Sequence, residues 1–250
     1  MIISVRDFRL KDTLLSGQLF RYHLKKDGTA VVFHRDAAFS LRQDGDNLHF
    51  NGARRAFVTR FLGLDHELAP ILSEVNKDEH LNEAIRSYHG LRIMRQDPWE
   101  CLIDFVCSSC ASIPKITLNL NELSRKFGER IEHEGVKGHT FPLPGSLTSL
   151  AKIKAAKTGF RSRFLLGLNT LDENELKGIS KLPYSEAKAW LMQHDGIGEK
   201  VADCILLFSH GFYEAFPVDT WIQKGISELY FGGKETPTKG LLNNNFRKVY

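Results

Sequence analysis

The stretch "RQDPWECLIDFVCSS", residues 95–109, is the strongest constraint on what this chain folds into. Asp97 fits a helix N-cap, Pro98 the first helical position and Glu100 the third. The run that follows is nearly all apolar, with Leu102, Ile103, Phe105 and Val106 close together. A helix that is hydrophobic all round is buried. At 250 residues the chain is long enough to bury it, in one large domain or two small ones.

On the N-terminal side the first 60 residues read as strands. "SGQLFRYHL", "AVVFHRD", "AFSLRQ" and "NLHFNG" follow one another, separated by Lys26-Asp27-Gly28 and Asp44-Gly45-Asp46. Asp-Gly turns between short β-prone runs are hairpin chemistry, which predicts an antiparallel meander. From about residue 65 the period changes. Leu64, Leu68, Ile71, Leu72 and Val75, then Leu81, Ala84, Ile85 and Tyr88, recur at three-to-four spacing and predict two amphipathic helices, closed by Gly90. "IPKITLNLNELSRKFG" predicts another, stopped by Gly128. Residues 132–149 read as a loop rich in Gly and Pro. Helical segments resume at 146–156, 161–170, 172–178, 184–193 and 199–209, and again in "TWIQKGISELYF". The expected fold class is α+β. An antiparallel sheet with helices occupies 1–88, and an all-helical domain occupies 89–250.

Composition narrows the function classes only slightly. The formal net charge is +4 and the pI about 8.8, a mild basic bias compatible with a polyanionic partner. No run of 18 apolar residues is present, so no membrane span is expected. The N-terminus lacks a basic segment followed by an apolar run, so an intracellular protein with reduced cysteines is expected. Cys107 and Cys110 form a C-x-x-C beside Cys101. A zinc site needs a second ligand pair, and only Cys204 remains. A redox pair wants a preceding strand, and "WECLIDFVC" looks helical. The four cysteines also lack the close spacing of an iron–sulfur ligand set. Buried thiols are the reading, with no metal site.

Chemistry concentrates in "HDGIGEKVADC", residues 194–204. A helix runs into a turn spaced by Gly196 and Gly198, and a second helix starts near Glu199, a helix–hairpin–helix at about 185–209. The hairpin leaves backbone N–H groups uncovered at a helix N-terminus, where the dipole favours phosphate. Such contacts carry no base sequence information. Lys200 follows, and 19 residues later "FPVDTW" places Asp219 at the start of the next helix, an N-cap position where aspartate is common.

Together these segments resemble the helix–hairpin–helix DNA glycosylase superfamily, and within it the 8-oxoguanine DNA glycosylase family. "SGQLFRY" (16–22), "LRIMRQDPWECLIDFVCSS" (91–109), "GFRSRF" (159–164), "GIGEKVADCI" (196–205) and "FPVD" (216–219) match that family's segments in order. The resemblance implies removal of 8-oxoguanine, and of ring-opened oxidised guanine, from duplex DNA, with an associated AP lyase activity. It implies Lys200 as the nucleophile at C1′ through a Schiff base, and Asp219 as the stabiliser of positive charge on the sugar. The base is flipped out of the duplex. The Gly17 carbonyl then reads its N7–H, and Cys204 lies against it. Gly196 and Gly198 hold phosphate. Phe160 fills the gap as a wedge, and Arg161 reads the estranged base. No cofactor is required, and a cation on the hairpin carbonyls is optional. The implied partner is double-stranded DNA carrying oxidised guanine, met by a monomer, in the nucleoid of a bacterium or a nucleus. A glycosylase for another purine lesion and a non-catalytic DNA-binding protein are the alternatives.

The chain departs from the family's pattern in three places. Cys110 and Lys115 stand where an asparagine and an arginine are expected to read the orphan cytosine. Cysteine lacks the amide's hydrogen bonds, and lysine lacks the arginine fork. Trp221 stands where a phosphate-contacting histidine is expected. Finally, "NNNFRKVY" stops in what reads as continuing helix, where the family carries further base-pocket residues.

Overall fold

The computed structural model describes residues 1–233. In chain order the first elements are β1 (Ile2–Ser4), α1 (Leu10–Leu15), β2 (Tyr22–Leu24), β3 (Ala30–His34), β4 (Ala37–Asp44), β5 (Asn47–Asn51), α2 (Arg55–Phe61), α3 (Leu68–Val75) and α4 (Glu79–Ser87). Then come α5 (Pro98–Ser108), α6 (Ile113–Phe127), β6 (Arg130–His133), β7 (Val136–His139), α7 (Leu150–Ala155), α8 (Ser162–Leu168), α9 (Glu173–Gly178), α10 (Tyr184–Met192), α11 (Glu199–Ile205) and α12 (Thr220–Phe231). Among the described residues no helix is long and apolar enough to cross a membrane.

The α+β organisation is as expected. Five strands form an antiparallel sheet in the order β1-β5-β4-β3-β2, the predicted meander with β1 added at one edge. β1 pairs with β5 more than 40 residues away, Ile3 opposite Leu48, so no local turn signal announces it. Two helices interrupt the stretch expected to be all strand. α1 buries Leu10, Thr13 and Leu14 in only six residues, and α2 buries Val58 and Phe61 in seven. Both are too short for a periodic pattern to stand out. Of "SGQLFRYHL" only Tyr22–Leu24 pairs as strand. The residues before it run along the domain seam, where side chains take over the hydrogen bonding.

One sheet face packs Val32, Phe39, Leu41 and Phe50 against Leu14, Phe61 and Leu62. The other face carries Val31, Phe33 and Ala38 under Ile131 and Val136. That cover corrects the expected loop at 132–149. β6 and β7 form a hairpin through Glu134 and Gly135, at φ +47° and +77°, the paired left-handed turn that suits strand twist. β3 is thereby buried along its whole length.

The helical core is built around α5, as its apolar run requires. Asp97 caps it by accepting from Glu100 N at 3.0 Å, and every residue from Trp99 to Cys107 is buried. Cys101, Cys107 and Cys204 lie in this core as free thiols, and Cys110 is exposed. Burial pushes the Cys101 and Cys107 thiols well up, so both stay protonated.

The two cores are separate clusters, but the chain crosses between them twice. Phe20 belongs to the helical core and Met94 to the sheet core. Gln18 stitches the crossing: its amide donates to Arg92 O at 2.9 Å and accepts from Met94 N at 2.8 Å, while its carbonyl accepts from Gln96 at 2.7 Å. Next to it lies a buried ion pair. Arg21 Nη1 donates to Glu100 Oε1 at 2.6 Å, with both side chains 2% exposed. Glu100 Oε2 accepts from Arg35 N at 2.6 Å, and Arg21 also donates to His139 O.

Removing one partner of such a pair leaves a charge uncompensated, at a cost of about 3–5 kcal/mol. Arg21→Met is expected to lower the unfolding free energy by that order in urea titrations. Adding Glu100→Gln should restore part of the loss, and a single-variant loss below about 1 kcal/mol would contradict the assignment.

Candidate active site

The hairpin forms as predicted. α10 ends at Met192, and α11 begins at Glu199 with Gly198 as its N-cap. The two glycines do different work. Gly196 has φ +87°, and a Cβ placed on it would lie 2.6 Å from the Phe164 ring. Its requirement for glycine is therefore close packing and a left-handed turn. Gly198 has φ −93°, and nothing lies within 4 Å of a Cβ placed there. Of the two, Gly198 keeps the open face that an incoming phosphate needs.

A buried carboxylate locks the hairpin's helices together. Asp203, on α11, accepts from Tyr184 Oη at 2.5 Å and Lys188 Nζ at 3.1 Å, both on α10. Beyond Ile205 the helix widens into a π-turn, Leu206–His210, and ends at Gly211 in the left-handed region.

α5 and α11 lie side by side, and Lys200 sits where the end of α5 meets the start of α11. Its Nζ donates to Ser108 Oγ at 3.3 Å and lies 5.5 Å from the Phe105 ring centroid. The side chain is half-buried. Cys204, one turn along, is buried beside it. Burial pushes that thiol up to about 12, against the opposing pull of the Lys200 charge. The Asp219 carboxylate also acts on the thiol, with the opposite sign. Lysine and aspartate thus both act on the thiol.

Asp219 is the N-cap of α12. Its Oδ1 accepts from Trp221 N at 3.0 Å and Ile222 N at 2.8 Å. Both cap bonds end on the same oxygen, so Oδ2 is not consumed by them. Trp221 itself is 76% exposed, a large apolar ring held at the edge of the site.

Gly17 reaches the same region from the sheet domain. Its φ is +83°, and a Cβ on it would meet Ile113 Cδ1 at 3.4 Å. Ile113 and Ser108 flank the short connection between α5 and α6, so Gly17 and Lys200 converge on that connection. Lys115 lies half-buried in the first turn of α6 and makes no ion pair among the described residues. Cys110, in the connection, is exposed at φ +51°.

Phe160 stands 57% exposed, edge-on to Phe164 at 6.1 Å. Arg161 follows it in the chain. It is buried, its Nε donates to Ser109 O at 2.8 Å, and its Nη1 to Thr158 O at 3.3 Å. Its guanidinium also lies 4.6 Å from the Phe160 ring centroid. In this arrangement Arg161 holds the Phe160 ring against the residue that follows α5. The stretch "NNNFRKVY" lies outside the described residues.

Sequence reasoning did not single out Phe105 and Ser108 as neighbours of the lysine. Their three-residue spacing on one helix face was the available signal. Asp203 was equally silent, although Tyr184 and Lys188 stand four apart on one face of α10.

Comparisons with known proteins bear on the family and the fold. Residues 1–102 match the family described as 8-oxoguanine DNA glycosylase, N-terminal domain. The N-glycosylase/DNA lyase of Saccharomyces cerevisiae is 30% identical over 258 residues, covering 90% of this chain and 69% of that protein. The N-glycosylase/DNA lyase OGG1 of Arabidopsis thaliana is 36% identical, covering 84% of this chain and 63% of that protein. The chain therefore spans about two thirds of the length of these curated relatives. The Clostridium acetobutylicum 8-oxoguanine glycosylase/lyase, solved with double-stranded DNA containing cytosine opposite 8-oxoG, superposes with a TM-score of 0.90. It is 28% identical, and the match covers 99% of this chain and 91% of that one.

A sheet domain seamed to a helical core, with a glycine-turned hairpin presenting a lysine near a capping aspartate, defines the helix–hairpin–helix DNA glycosylase class. Within that class, the chain belongs to the 8-oxoguanine DNA glycosylase family.

The two glycines separate packing from ligand access. Gly196→Val is expected to lower the thermal midpoint by several degrees, because the side chain collides with Phe164 and strains the turn. Gly198→Ala is expected to leave the midpoint within about 2 °C and to weaken duplex binding instead. Equal thermal losses for both variants would contradict the division.

Proposed function

We propose that this chain is a bifunctional DNA glycosylase and AP lyase that excises 8-oxoguanine, and ring-opened oxidised guanine, from duplex DNA. The observation that carries the reading is Lys200 at the start of α11, against Ser108 and the buried Cys204, with Asp219 at the neighbouring helix cap.

The chemistry follows from those groups. An amine attacks only in its neutral form, so the Lys200 ammonium first loses a proton. The nitrogen lone pair then bonds to C1′ as the C1′–N9 bond breaks and the base departs with its electron pair. Asp219 stabilises the positive charge that develops on the sugar. The nitrogen passes a second proton to O4′ as the C1′–O4′ bond breaks, giving a protonated imine; loss of a C2′ proton to water then forms C2′=C3′ as the C3′–O bond breaks and the 3′ phosphate leaves with its electron pair. Lysine supplies the electrophile's partner itself, so no cofactor or metal enters the proposed steps. The Gly17 carbonyl welcomes the N7–H of 8-oxoguanine and repels the N7 lone pair of guanine. Gly198 and the uncovered amides after it receive a backbone phosphate. A single copy of the chain provides every group, and the DNA substrate places it where the cell keeps its genome.

Asp219 tests electrostatics apart from capping. Asparagine caps helices as well as aspartate does, so Asp219→Asn is expected to retain stability within about 0.5 kcal/mol. Base release should nevertheless fall by about 10²-fold or more. Lys200→Gln should lose base release and strand cleavage together. Full activity in either variant, scored on an 8-oxoguanine duplex, would sink the reading.

The orphan base is a second test. Cys110 and Lys115 lack the donors expected there, and Arg161 is engaged with Ser109. A good bidentate base contact discriminates by about 1–3 kcal/mol, or roughly 10- to 100-fold. Excision opposite C, A, G and T is therefore expected to agree within about tenfold. A strong preference for cytosine in single-turnover assays would contradict this.

A further inference from the structure

A second cavity lies at the opposite end of the α5–α11 pair. The two helices run antiparallel. Ser108, closing α5, meets Lys200, whereas Gln96 N, just before α5, donates to Phe208 O at 2.7 Å. The length of α5, about 15 Å at 1.5 Å per residue, separates the two ends. The cavity at the Gln96 end has a volume of about 430 Å³ and is open to solvent.

Its lining has three characters. One wall is aromatic: His34 packs on Phe57 and Phe61 at 5.6 and 5.1 Å between centroids, and Phe57 is 37% exposed. The rim is cationic. Arg60 is exposed and has no ion-pair partner among the described residues, while Lys177 pairs with Glu173 at 2.8 Å and Arg95 with Asp65. The third character is unmet hydrogen bonding. His34 Nδ1, Arg95 Nε and His210 Nε2 are all buried without a hydrogen-bond partner. His34 as a whole is 7% exposed, and its Nδ1 faces Glu100 Oε2 at 3.4 Å. Orphaned buried polar atoms are rare in folded proteins, and three gather around this one cavity. The carboxylate in the lining, Asp97, is already occupied by Glu100 N and by Arg35 Nη1 at 3.5 Å.

We propose that this cavity is a binding site, separate from the hairpin, for a small ligand that carries a phosphate group. An arginine fork and a lysine point charge are the groups that recognise phosphate oxygens. The volume is within the range of small-ligand sites, about 300–1,000 Å³. The aromatic wall adds room for a planar ring, as a mononucleotide would bring. Burial holds His210 down to about 4 and lowers His34 too, so both rings are neutral near pH 7 and the cationic rim is left to the arginines and the lysine.

Calorimetric titration of the full chain with inorganic phosphate, and separately with deoxyadenosine monophosphate, tests this. Arg60→Gln and Lys177→Gln alter exposed side chains outside the catalytic groups, so folding and duplex affinity should be unchanged. Each is expected to weaken binding about tenfold, the loss of one charge-assisted hydrogen bond. Tighter binding of the nucleotide than of phosphate supports the proposal and assigns the aromatic wall a role. Equal binding supports it with free phosphate as the source. Absence of saturable binding by both probes, or binding unaltered in both variants, overturns it.

Discussion

Glu100 is the point on which the rest of the structure turns. It belongs to the first turn of α5, the helix at the centre of the helical core, yet its two oxygens are taken by the sheet domain. Arg21 reaches one at 2.6 Å and the Arg35 amide the other at 2.6 Å. A buried ion pair contributes little net stability against well-packed apolar residues, because both charges lose their water. What this one supplies is alignment. α5 is buried on every side, so apolar packing alone gives few cues to its rotation or its shift along the axis. The charged contacts set both.

The active-site geometry inherits that alignment. The far end of α5 carries Phe105 and Ser108, which receive the Lys200 side chain. α11 is held in its turn by Asp203, clamped to Tyr184 and Lys188 of α10. The lysine is therefore placed by two buried carboxylates, Glu100 through α5 and Asp203 through the hairpin. Neither has a place in the proposed chemistry. Asp219 has a double duty, with one oxygen spent on the cap of α12 and the other left over. The residue that terminates the Pro-Val connection thus also brings a charge within reach of the thiol beside the lysine.

Much of this was legible in the chain itself. The start of α5 was written in Asp97, Pro98 and Glu100, because caps are local chemistry. The hairpin was legible for the same reason, in two glycines between two helical runs. What escaped is what depends on distant partners. β1 joins the sheet across more than 40 residues, and the β6–β7 hairpin is defined by the sheet face it covers. Arg161 reads as a surface charge beside an aromatic. Its burial depends on the Ser109 carbonyl 52 residues earlier in the chain. Gly196 and Gly198 look equivalent in sequence, and only the position of Phe164 distinguishes them.

The central claim is that the Lys200 nitrogen forms the covalent bond to the sugar. Borohydride reduction of the wild-type chain on an 8-oxoguanine duplex, followed by nuclease and protease digestion and mass spectrometry, locates that bond directly. The account predicts a sugar-derived mass on the peptide containing Lys200. The same adduct on another lysine, or on the N-terminal amine, would contradict it.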